Sequence, residues 1–217
     1  MNITRIKIMG SNYAGLFGIC NDTLAFLPAQ IDKKTEDEIA KVLDVKTVKT
    51  TIYGSSLLSV FSKMNNKHIY LPNFVQSNEL EVIEKEIKAI VLNTENAFGN
   101  LCELNDLGAI ASRSLDTKSV LELKKSGLKI TQMNIARTEV VGSALVATNR
   151  GFLVNPNTTR EEAMQIEETL GVKGGSSTAN TGDSFVRNSV IANKKGIILG
   201  ERTTPFEINR IEEALEQ

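Results

Sequence analysis

The chain has 217 residues and a formal net charge of −1, with 41% hydrophobic and 24% charged residues. This balance excludes a molecule that attracts nucleic acid through its overall charge, and no apolar run approaches the roughly 20 residues that span a bilayer. Two cysteines and one histidine form neither a disulfide framework nor a zinc site, so we expect a cytoplasmic protein without metal, cofactor or membrane partner.

Five segments repeat one outline: a small residue, an apolar run, an asparagine-containing turn, a second apolar run and a helical stretch. The turn asparagines stand 40 or 44 residues apart, at Asn21, Asn65, Asn105, Asn149 and Asn193. Asn and Gly tolerate a positive φ and therefore suit the tight connection between two antiparallel strands. A fixed period in this range indicates a propeller, a solenoid or an array.

In chain order, the sequence opens with a strand at Ile3 to Ile8 that has no partner in the first repeat. A helix is predicted after each hairpin, at Glu36 to Leu43, Asn78 to Ile90, Lys118 to Lys125, Thr159 to Leu170 and Pro205 to Leu215. A third strand follows the helix, as at Val45 to Ile52 and Leu128 to Ile135. The Gly-rich stretch from Gly171 to Gly182 lacks the spacing of a phosphate-binding loop and is interpreted as a flexible connection.

The fifth repeat has a hairpin and a helix but no third strand. The simplest account is that the N-terminal strand supplies it and closes a ring, because closure removes exposed sheet edges. We predict an α/β fold, a five-bladed propeller of ββαβ units with helices outside and strands lining the centre. It forms a single domain, residues 1–217, with repeats at approximately 10–53, 54–97, 98–140, 141–185 and 186–217 and with residues 1–9 completing the last.

Side chains that could catalyse a reaction are sparse. His68 stands beside the second turn, where a surface imidazole needs no functional explanation. Cys20 and Cys102 occupy what we interpret as matching places on the first strands of repeats one and three, where a buried thiol normally packs as a small hydrophobe. A nucleophilic cysteine needs a nearby base, and only His68 is available.

Two sets of polar residues are candidates for a contact surface. Lys67, Arg150 and Lys194 fall on hairpin turns, which a five-fold arrangement places on one side of the ring, where they could contact phosphates. A small residue followed by a short polar one recurs at Gly54-Ser55, Gly99-Asn100, Gly142-Ser143 and Arg187-Asn188, and we interpret these pairs as equivalent. Within them Asn100 offers two donors and an acceptor. The first alternative is that lysines on exposed turns have no binding role. The second is that the short polar side chains of these pairs form hydrogen bonds with nearby backbone groups.

Along its whole length the chain resembles translation initiation factor 6 of archaea and eukaryotes. The resemblance rests on TVKTTIYGSSLLSVF from Thr47, ENAFGNLCELND from Glu95, VGSALVATNRGFLVNP from Val141 and STANTGDSFVRNSVIANKKGIILGERTTPFEINRIEEAL from Ser177. The sequence lacks the C-terminal tail of the eukaryotic members, so it is expected to be archaeal.

The resemblance implies the pentein fold and a non-catalytic factor. It also implies that the factor binds the large ribosomal subunit, through ribosomal protein and rRNA, and prevents association with the small subunit; a role in large-subunit biogenesis is a further hypothesis. The expected molecule is a monomer with no DNA partner. Because the same fold carries guanidine-modifying hydrolases and amidinotransferases, the alternatives are such an enzyme or a small-ligand binder that uses the central cavity.

Overall fold

The computed structural model describes all 217 residues. The strands are β1 (Asn2–Ile6), β2 (Ile19–Cys20), β3 (Leu24–Pro28), β4 (Lys46–Thr50), β5 (Lys63–Met64), β6 (His68–Pro72), β7 (Lys88–Leu92), β8 (Cys102–Leu104), β9 (Gly108–Ala111), β10 (Lys129–Gln132), β11 (Leu145–Ala147), β12 (Phe152–Val154), β13 (Gly174–Ser176), β14 (Val190–Ala192) and β15 (Gly196–Gly200). The α-helices are α1 (Lys33–Leu43), α2 (Leu58–Phe61), α3 (Ser77–Glu84), α4 (Phe98–Leu101), α5 (Thr117–Lys125), α6 (Val141–Ala144), α7 (Arg160–Leu170) and α8 (Pro205–Leu215). Two 3₁₀ turns lie at Ala14–Leu16 and Val186–Asn188.

The strands form five separate three-stranded sheets, and each sheet with its helices is one module. Modules 1 to 5 contain β2-β3-β4, β5-β6-β7, β8-β9-β10, β11-β12-β13 and β14-β15-β1. In every module the first two strands form an antiparallel hairpin and the third runs parallel to the second. In module 5 that third strand is β1, which pairs with β15 from Asn2↔Gly196 to Ile6↔Gly200. The five-fold α/β arrangement of the pentein fold and its closure by the N-terminal strand are therefore confirmed, although the strand ends at Ile6 and not at Ile8.

The first strands of the five modules, β2, β5, β8, β11 and β14, contact one another in a closed circle around the axis. A second circle, formed by the two 3₁₀ turns with α2, α4 and α6, precedes these strands at one end, which we call the short-helix end. The hairpin turns follow the same strands at the opposite end, which we call the turn end. The long helices α1, α3, α5, α7 and α8 pack on the outer strands. None of the helices is long and apolar enough to cross a membrane.

The hydrophobic core lies between modules and not within them. Each of five buried clusters combines side chains from two adjacent modules, as where Phe26 of β3 packs with Ile69 of β6 and Ile83 of α3. Burial of each such side chain contributes about 1.5–3 kcal/mol to stability. An isolated module would leave these side chains exposed on the side of the missing neighbour and would lose part of this contribution. The ring therefore holds its blades together through shared core rather than through continuous sheet.

Two predictions about individual elements are wrong. The predicted helix at Asn78 to Ile90 ends at Glu84, and Lys88–Leu92 forms β7 instead, because this run pairs in parallel with β6 along its whole length. A short apolar run fits a strand as well as a helix, so the pattern alone does not distinguish the two. The Gly-rich stretch is not a flexible connection, since Gly174–Ser176 within it forms β13 and pairs with β12. Its residues lack strand propensity, and the neighbouring strand imposes the extended conformation.

Candidate functional site

A ladder of asparagine side chains joins the five turns at the turn end. Asn21 Nδ2 donates to the Asn65 carbonyl at 3.0 Å, Asn65 donates to the Asn105 carbonyl at 3.2 Å, and Asn193 donates to the Asn21 carbonyl at 3.0 Å. Each Oδ1 accepts backbone N–H groups of its own turn, as Asn65 Oδ1 does from Lys67 and His68, both at 2.9 Å. One side chain thus satisfies its own turn and ties it to the next module.

The fourth position of this ladder is Thr148, so the prediction that Asn149 is equivalent to the other turn asparagines is wrong by one residue. Thr148 Oγ1 accepts the N–H groups of Arg150 and Gly151, both at 3.1 Å, and donates to the Gly151 carbonyl at 3.0 Å. Its short side chain makes no bond to module 5. The ring of side-chain bonds is therefore open at one of its five joints.

The next residue of each turn contributes to a second polar ring, made of Asp22, Asn66, Asp106, Asn149 and Lys194. Asn66 Nδ2 donates to Asp22 at 2.8 Å and to Asp106 at 2.7 Å, and Asn149 Nδ2 donates to the same two carboxylates at 3.2 and 2.8 Å. Lys194 Nζ lies 3.7 Å from Asp22 Oδ2. Burial opposes ionisation of Asp22, but the bonds from Asn66 and the Lys194 backbone hold its pKa below the usual range.

Behind these rings a buried ion cluster occupies the axis. The Lys63 ammonium contacts the Glu103 carboxylate and donates to the Gly142 carbonyl at 3.2 Å, while Arg187 Nε lies 3.8 Å from Glu103. Arg187 also donates to the carbonyls of Gly15 and Gly18, both at 3.1 Å. Burial lowers the pKa of Lys63 to about 8, although the Glu103 charge opposes that shift. The cluster links modules 1, 2, 3, 4 and 5 through the centre.

The two cavities along the axis are small. The one at the turn end has a volume of about 30 Å³ and is lined by the ladder asparagines, and the one around Lys63, Glu103 and Arg187 has a volume of about 30 Å³. Each has room for about one water molecule, because a water occupies about 30 Å³ in the liquid. The axis therefore offers no pocket for a small organic ligand.

The residues suggested for guanidine chemistry do not form a catalytic group. Cys20 and Cys102 are not at matching positions, since Cys20 ends β2 whereas Cys102 begins β8. Burial raises the pKa of Cys20 to about 12 and also raises that of Cys102, so neither thiol is activated. His68 is half-buried at the start of β6, where burial lowers its pKa. No group of three or more His, Cys, Asp or Glu side chains is arranged to hold a metal ion.

The predicted contact residues lie at both ends of the ring. Arg150 and Lys194 are brought together, with an Arg150 guanidinium nitrogen 3.4 Å from the Lys194 carbonyl, and Lys67 is exposed at the same turn end. Asn100 lies in α4 at the short-helix end, where its Oδ1 accepts from Ser143 at 3.2 Å. No single flat surface can use all four residues.

The prediction that Gly54-Ser55 is equivalent to Gly99-Asn100 is wrong. Gly99 lies in α4, and its counterpart in α2 is Ser59, whose hydroxyl donates to the Gly15 carbonyl at 2.6 Å. Gly54 lies before α2 in a tight turn, directly after Tyr53, whose φ is 53°. The shift arises because the sequence pattern matched a turn glycine with a helix glycine.

Sequence reasoning missed the exposed side chains of the short-helix end. Three large ones are 44–64% exposed there, namely Met9, Tyr13 and Tyr53. Three exposed arginines that form no salt bridge stand on loops at the same end, namely Arg113, Arg137 and Arg202. The signal available in the sequence was the Met9-Gly10 and Tyr53-Gly54 pairs, which repeat the same turn 44 residues apart.

Comparisons with known proteins agree along the whole chain. The model of the eIF-6 family matches residues 3–214. The translation initiation factor 6 of Haloquadratum walsbyi is 33% identical over 215 residues, which cover 97% of this chain and 95% of the relative. That of Thermoplasma acidophilum is 31% identical over 214 residues, with 98% and 99% covered. A crystal structure of dimethylarginine dimethylaminohydrolase superposes with a TM-score of 0.45 at 10% identity, covering 94% of this chain and 73% of that one, a likeness too loose to bear on function.

Proposed function

The chain belongs to the eIF-6 family, and from this premise we propose that it binds the large (50S) ribosomal subunit and prevents its association with the small (30S) subunit. Its relatives carry the name translation initiation factor 6, which supports a role in initiation of translation. A ribosomal partner places its action in the cytoplasm. A part in large-subunit biogenesis would use the same bound state.

The closed axis is the observation that carries this proposal. Lys63, Glu103 and Arg187 fill the centre, where the alternative functions would need a substrate cavity. With raised thiol pKa values and cavities of water size, the chain is proposed to be non-catalytic and to work through its surface. A chain of this length has an expected radius of gyration of about 17 Å, so one bound molecule would exclude a partner subunit sterically.

We propose the short-helix end as the ribosome-binding surface. Tyr53 is 64% exposed and Tyr13 44%, and aromatic side chains are enriched at the centres of protein interfaces. Asn100 lies in the circle of short helices at the same end, is half-buried, and its amide donors make no hydrogen bond within the chain. The unpaired arginines of this end can neutralise rRNA phosphates.

The turn end is the less favourable surface of the two. Lys194 faces Asp22, Lys195 donates to Asp44 at 2.8 Å, and Arg150 bonds the Lys194 carbonyl. These cations are partly satisfied inside the chain and lie beside a ring that contains two carboxylates. A phosphate backbone would gain less from them than from unpaired arginines.

Co-sedimentation with purified archaeal 50S and 30S subunits in sucrose gradients tests the proposal. We expect the chain to travel with 50S alone and to reduce the 70S peak when both subunits are present. Asn100→Ala should weaken binding without changing its salt dependence, because the side chain is uncharged.

Two triple variants that remove equal charge distinguish the two ends. Replacing Arg113, Arg137 and Arg202 by Ala should weaken 50S binding and flatten its salt dependence. Replacing Lys67, Arg150 and Lys194 by Ala is the matched control and should have the smaller effect. If the turn-end variant weakens binding more than the arginine variant, the binding surface lies at the turn end. If the wild-type chain does not reduce the association of 50S with 30S, the proposed function is wrong.

A further inference from the structure

Four of the five third strands are followed by a tight turn whose residues have positive φ values, before the chain enters the next module. These turns are at Met9-Gly10, Tyr53-Gly54, Ala136-Arg137 and Asn180 to Gly182. In the second of them Ile52 pairs with Ser55 across Tyr53 and Gly54, whose φ values are 53° and 71°. This region of φ favours glycine, so Tyr53 has an unfavourable conformation that its surroundings must maintain. Residues held in this way are concentrated at functional sites.

A buried carboxylate holds the Tyr53-Gly54 turn in this conformation. Glu79 of α3 is 4% exposed, and its carboxylate accepts from the N–H groups of Tyr53 at 2.7 Å and Gly54 at 2.8 Å. The Thr51 hydroxyl and the Gln76 N–H donate to the same carboxylate. Burial opposes ionisation of Glu79, but these hydrogen bonds hold its pKa below the usual range. An ionised acceptor with four donors fixes the backbone of the turn firmly, because hydrogen bonds to a charged group are the stronger ones.

The ring of Tyr53 is supported on one side and free on the other. It packs edge-on against Phe74, with ring centroids 5.6 Å apart, and Phe74 packs edge-on against Phe61 at the same distance. Tyr53 nevertheless has 64% of its surface exposed. An aromatic side chain whose backbone and ring are both fixed loses little conformational freedom when a partner covers it, which favours affinity.

Module 5 has a similar carboxylate beneath a turn without an aromatic side chain. Glu207 of α8 is also 4% exposed, and it accepts from the N–H groups of Thr181 at 3.2 Å and Gly182 at 2.9 Å. The Thr178 hydroxyl donates to it at 2.8 Å, as the Thr51 hydroxyl donates to Glu79. The two turns therefore provide an internal comparison, in which the main difference is the exposed ring of Tyr53.

We propose that Glu79 is a positioning residue for ribosome binding, which holds Tyr53 in the orientation in which its ring contacts the 50S subunit. This inference rests on the proposed function and on the short-helix end as the binding surface. Glu79 is buried and does not reach a partner, so its effect on binding passes through the Tyr53-Gly54 turn. Without the carboxylate the turn gains freedom, and the ring must then be ordered at the moment of binding, which costs affinity.

A double-mutant cycle on 50S affinity, measured by co-sedimentation over a range of subunit concentrations, tests this role. Tyr53→Ala should weaken binding at least about tenfold, as removal of an aromatic anchor does. Glu79→Gln should weaken it several-fold, because the amide nitrogen of glutamine cannot accept from the turn. The double variant should bind no more weakly than Tyr53→Ala, since no ring is left to position.

Glu207→Gln is the matched control. It removes the same kind of acceptor beneath the module 5 turn and should leave 50S affinity within about a factor of two of the wild-type value, the usual error of such comparisons. If Glu79→Gln does not fold, Phe74→Leu removes the support of the Tyr53 ring instead and should weaken binding several-fold.

Hydrogen exchange of the Tyr53 and Gly54 amides measures the turn in the absence of the ribosome. We expect both amides to be protected in the wild type and to exchange at least about tenfold faster in Glu79→Gln, while those of Thr181 and Gly182 keep their protection. Unprotected Tyr53 and Gly54 amides in the wild type would overturn the positioning role.

Three binding results would also overturn the positioning role and leave the proposed function standing. They are wild-type affinity of Tyr53→Ala or Glu79→Gln, an equal loss of affinity in Glu207→Gln, and a further loss when Glu79→Gln is added to Tyr53→Ala. A wild-type chain that does not bind 50S would instead overturn the proposed function, and this inference with it.

Discussion

At the scale of single residues, the asparagine ladder shows how a repeat protein joins its modules through one kind of side chain. The carboxamide carries an acceptor for its own turn and a donor for the next, two functions that threonine cannot combine over the same distance. Four of the five joints use this solution, and Thr148 interrupts it between modules 4 and 5.

Thr148→Asn should complete the ladder. Its Nδ2 would reach the Asn193 carbonyl as Asn21 reaches that of Asn65, and we expect a gain of about 1 kcal/mol in the free energy of unfolding. The reverse copy, Asn65→Thr, should lose about 1–3 kcal/mol because it leaves a buried carbonyl without its donor. Urea unfolding of both variants checks this, and a Thr148→Asn variant less stable than the wild type would show that the joint is not equivalent.

The ion cluster on the axis carries two cations and one carboxylate, so its members should not be equally sensitive to substitution. Glu103→Gln leaves Lys63 and Arg187 buried together without a counter-charge, and we expect a loss of about 3–5 kcal/mol. Lys63→Met leaves the Glu103–Arg187 pair and should cost less. Urea unfolding at neutral pH measures both, and a larger loss in Lys63→Met would contradict this account.

The same cluster predicts a dependence on pH. Because the pKa of Lys63 is lowered to about 8 in the folded chain, below its ordinary value of 10.5, the unfolded chain binds more protons between these values. Stability relative to Lys63→Met should therefore rise from pH 8 upward, by about 2 kcal/mol near pH 9.5, and this gain is lost as the pH falls through 8. A stability difference between the two proteins that stays constant from neutral pH to pH 9.5 would place the Lys63 pKa near its ordinary value.

At the scale of elements, the hairpins, long helices and third strands follow from periodicity and turn residues, and most of them could be predicted. The short helices could not, because four residues such as Phe98–Leu101 carry no helical period. β13 was missed because Gly-Gly-Ser has no strand propensity. The ion cluster was missed for another reason, since Lys63 and Glu103 are 40 residues apart and only the closed ring brings them together.

The short helices pack backbone against backbone, so the circle that they form can close only if the residues at the contacts are small. A Cβ added at Gly99 would lie 2.0 Å from the Ser59 carbonyl oxygen, and one at Gly142 would lie 2.0 Å from that of Gly99. Backbone atoms cannot rotate away from such a contact as a side chain can. Adjacent modules therefore must separate to accommodate even one methyl group.

Gly99→Ala should accordingly lose about 3 kcal/mol of stability, at the upper end of the usual overpacking cost. Gly10→Ala is the matched control, since its added methyl meets nothing within 4 Å and only its φ of 78° is unfavourable. We expect that control to lose about 1–2 kcal/mol. Thermal and urea unfolding measure both, and equal losses would mean that the short-helix circle can expand.

At the scale of the whole molecule, the closing strand makes the ring depend on residues at its two ends. β1 covers β15 and contributes Ile3 and Ile6 to two of the five buried clusters. The Met1 amino group lies 3.4 Å from Glu212 Oε1, so the first strand starts where the last helix ends. We propose that the ring folds as a single domain because no module holds a complete core.

Deletion of residues 1–8 should therefore destabilise all five modules, because it uncovers β15 and opens two clusters at once. The matched control moves the same residues to follow Gln217 through a short Gly/Ser linker, which makes module 5 a continuous ββαβ unit like the other four. We expect the truncated chain to lose its cooperative unfolding transition and the permuted chain to unfold cooperatively near the wild-type midpoint. Hydrogen exchange would locate any surviving structure: protection retained in modules 2 and 3 of the truncated chain would show that the modules fold independently and that closure is not what holds the ring.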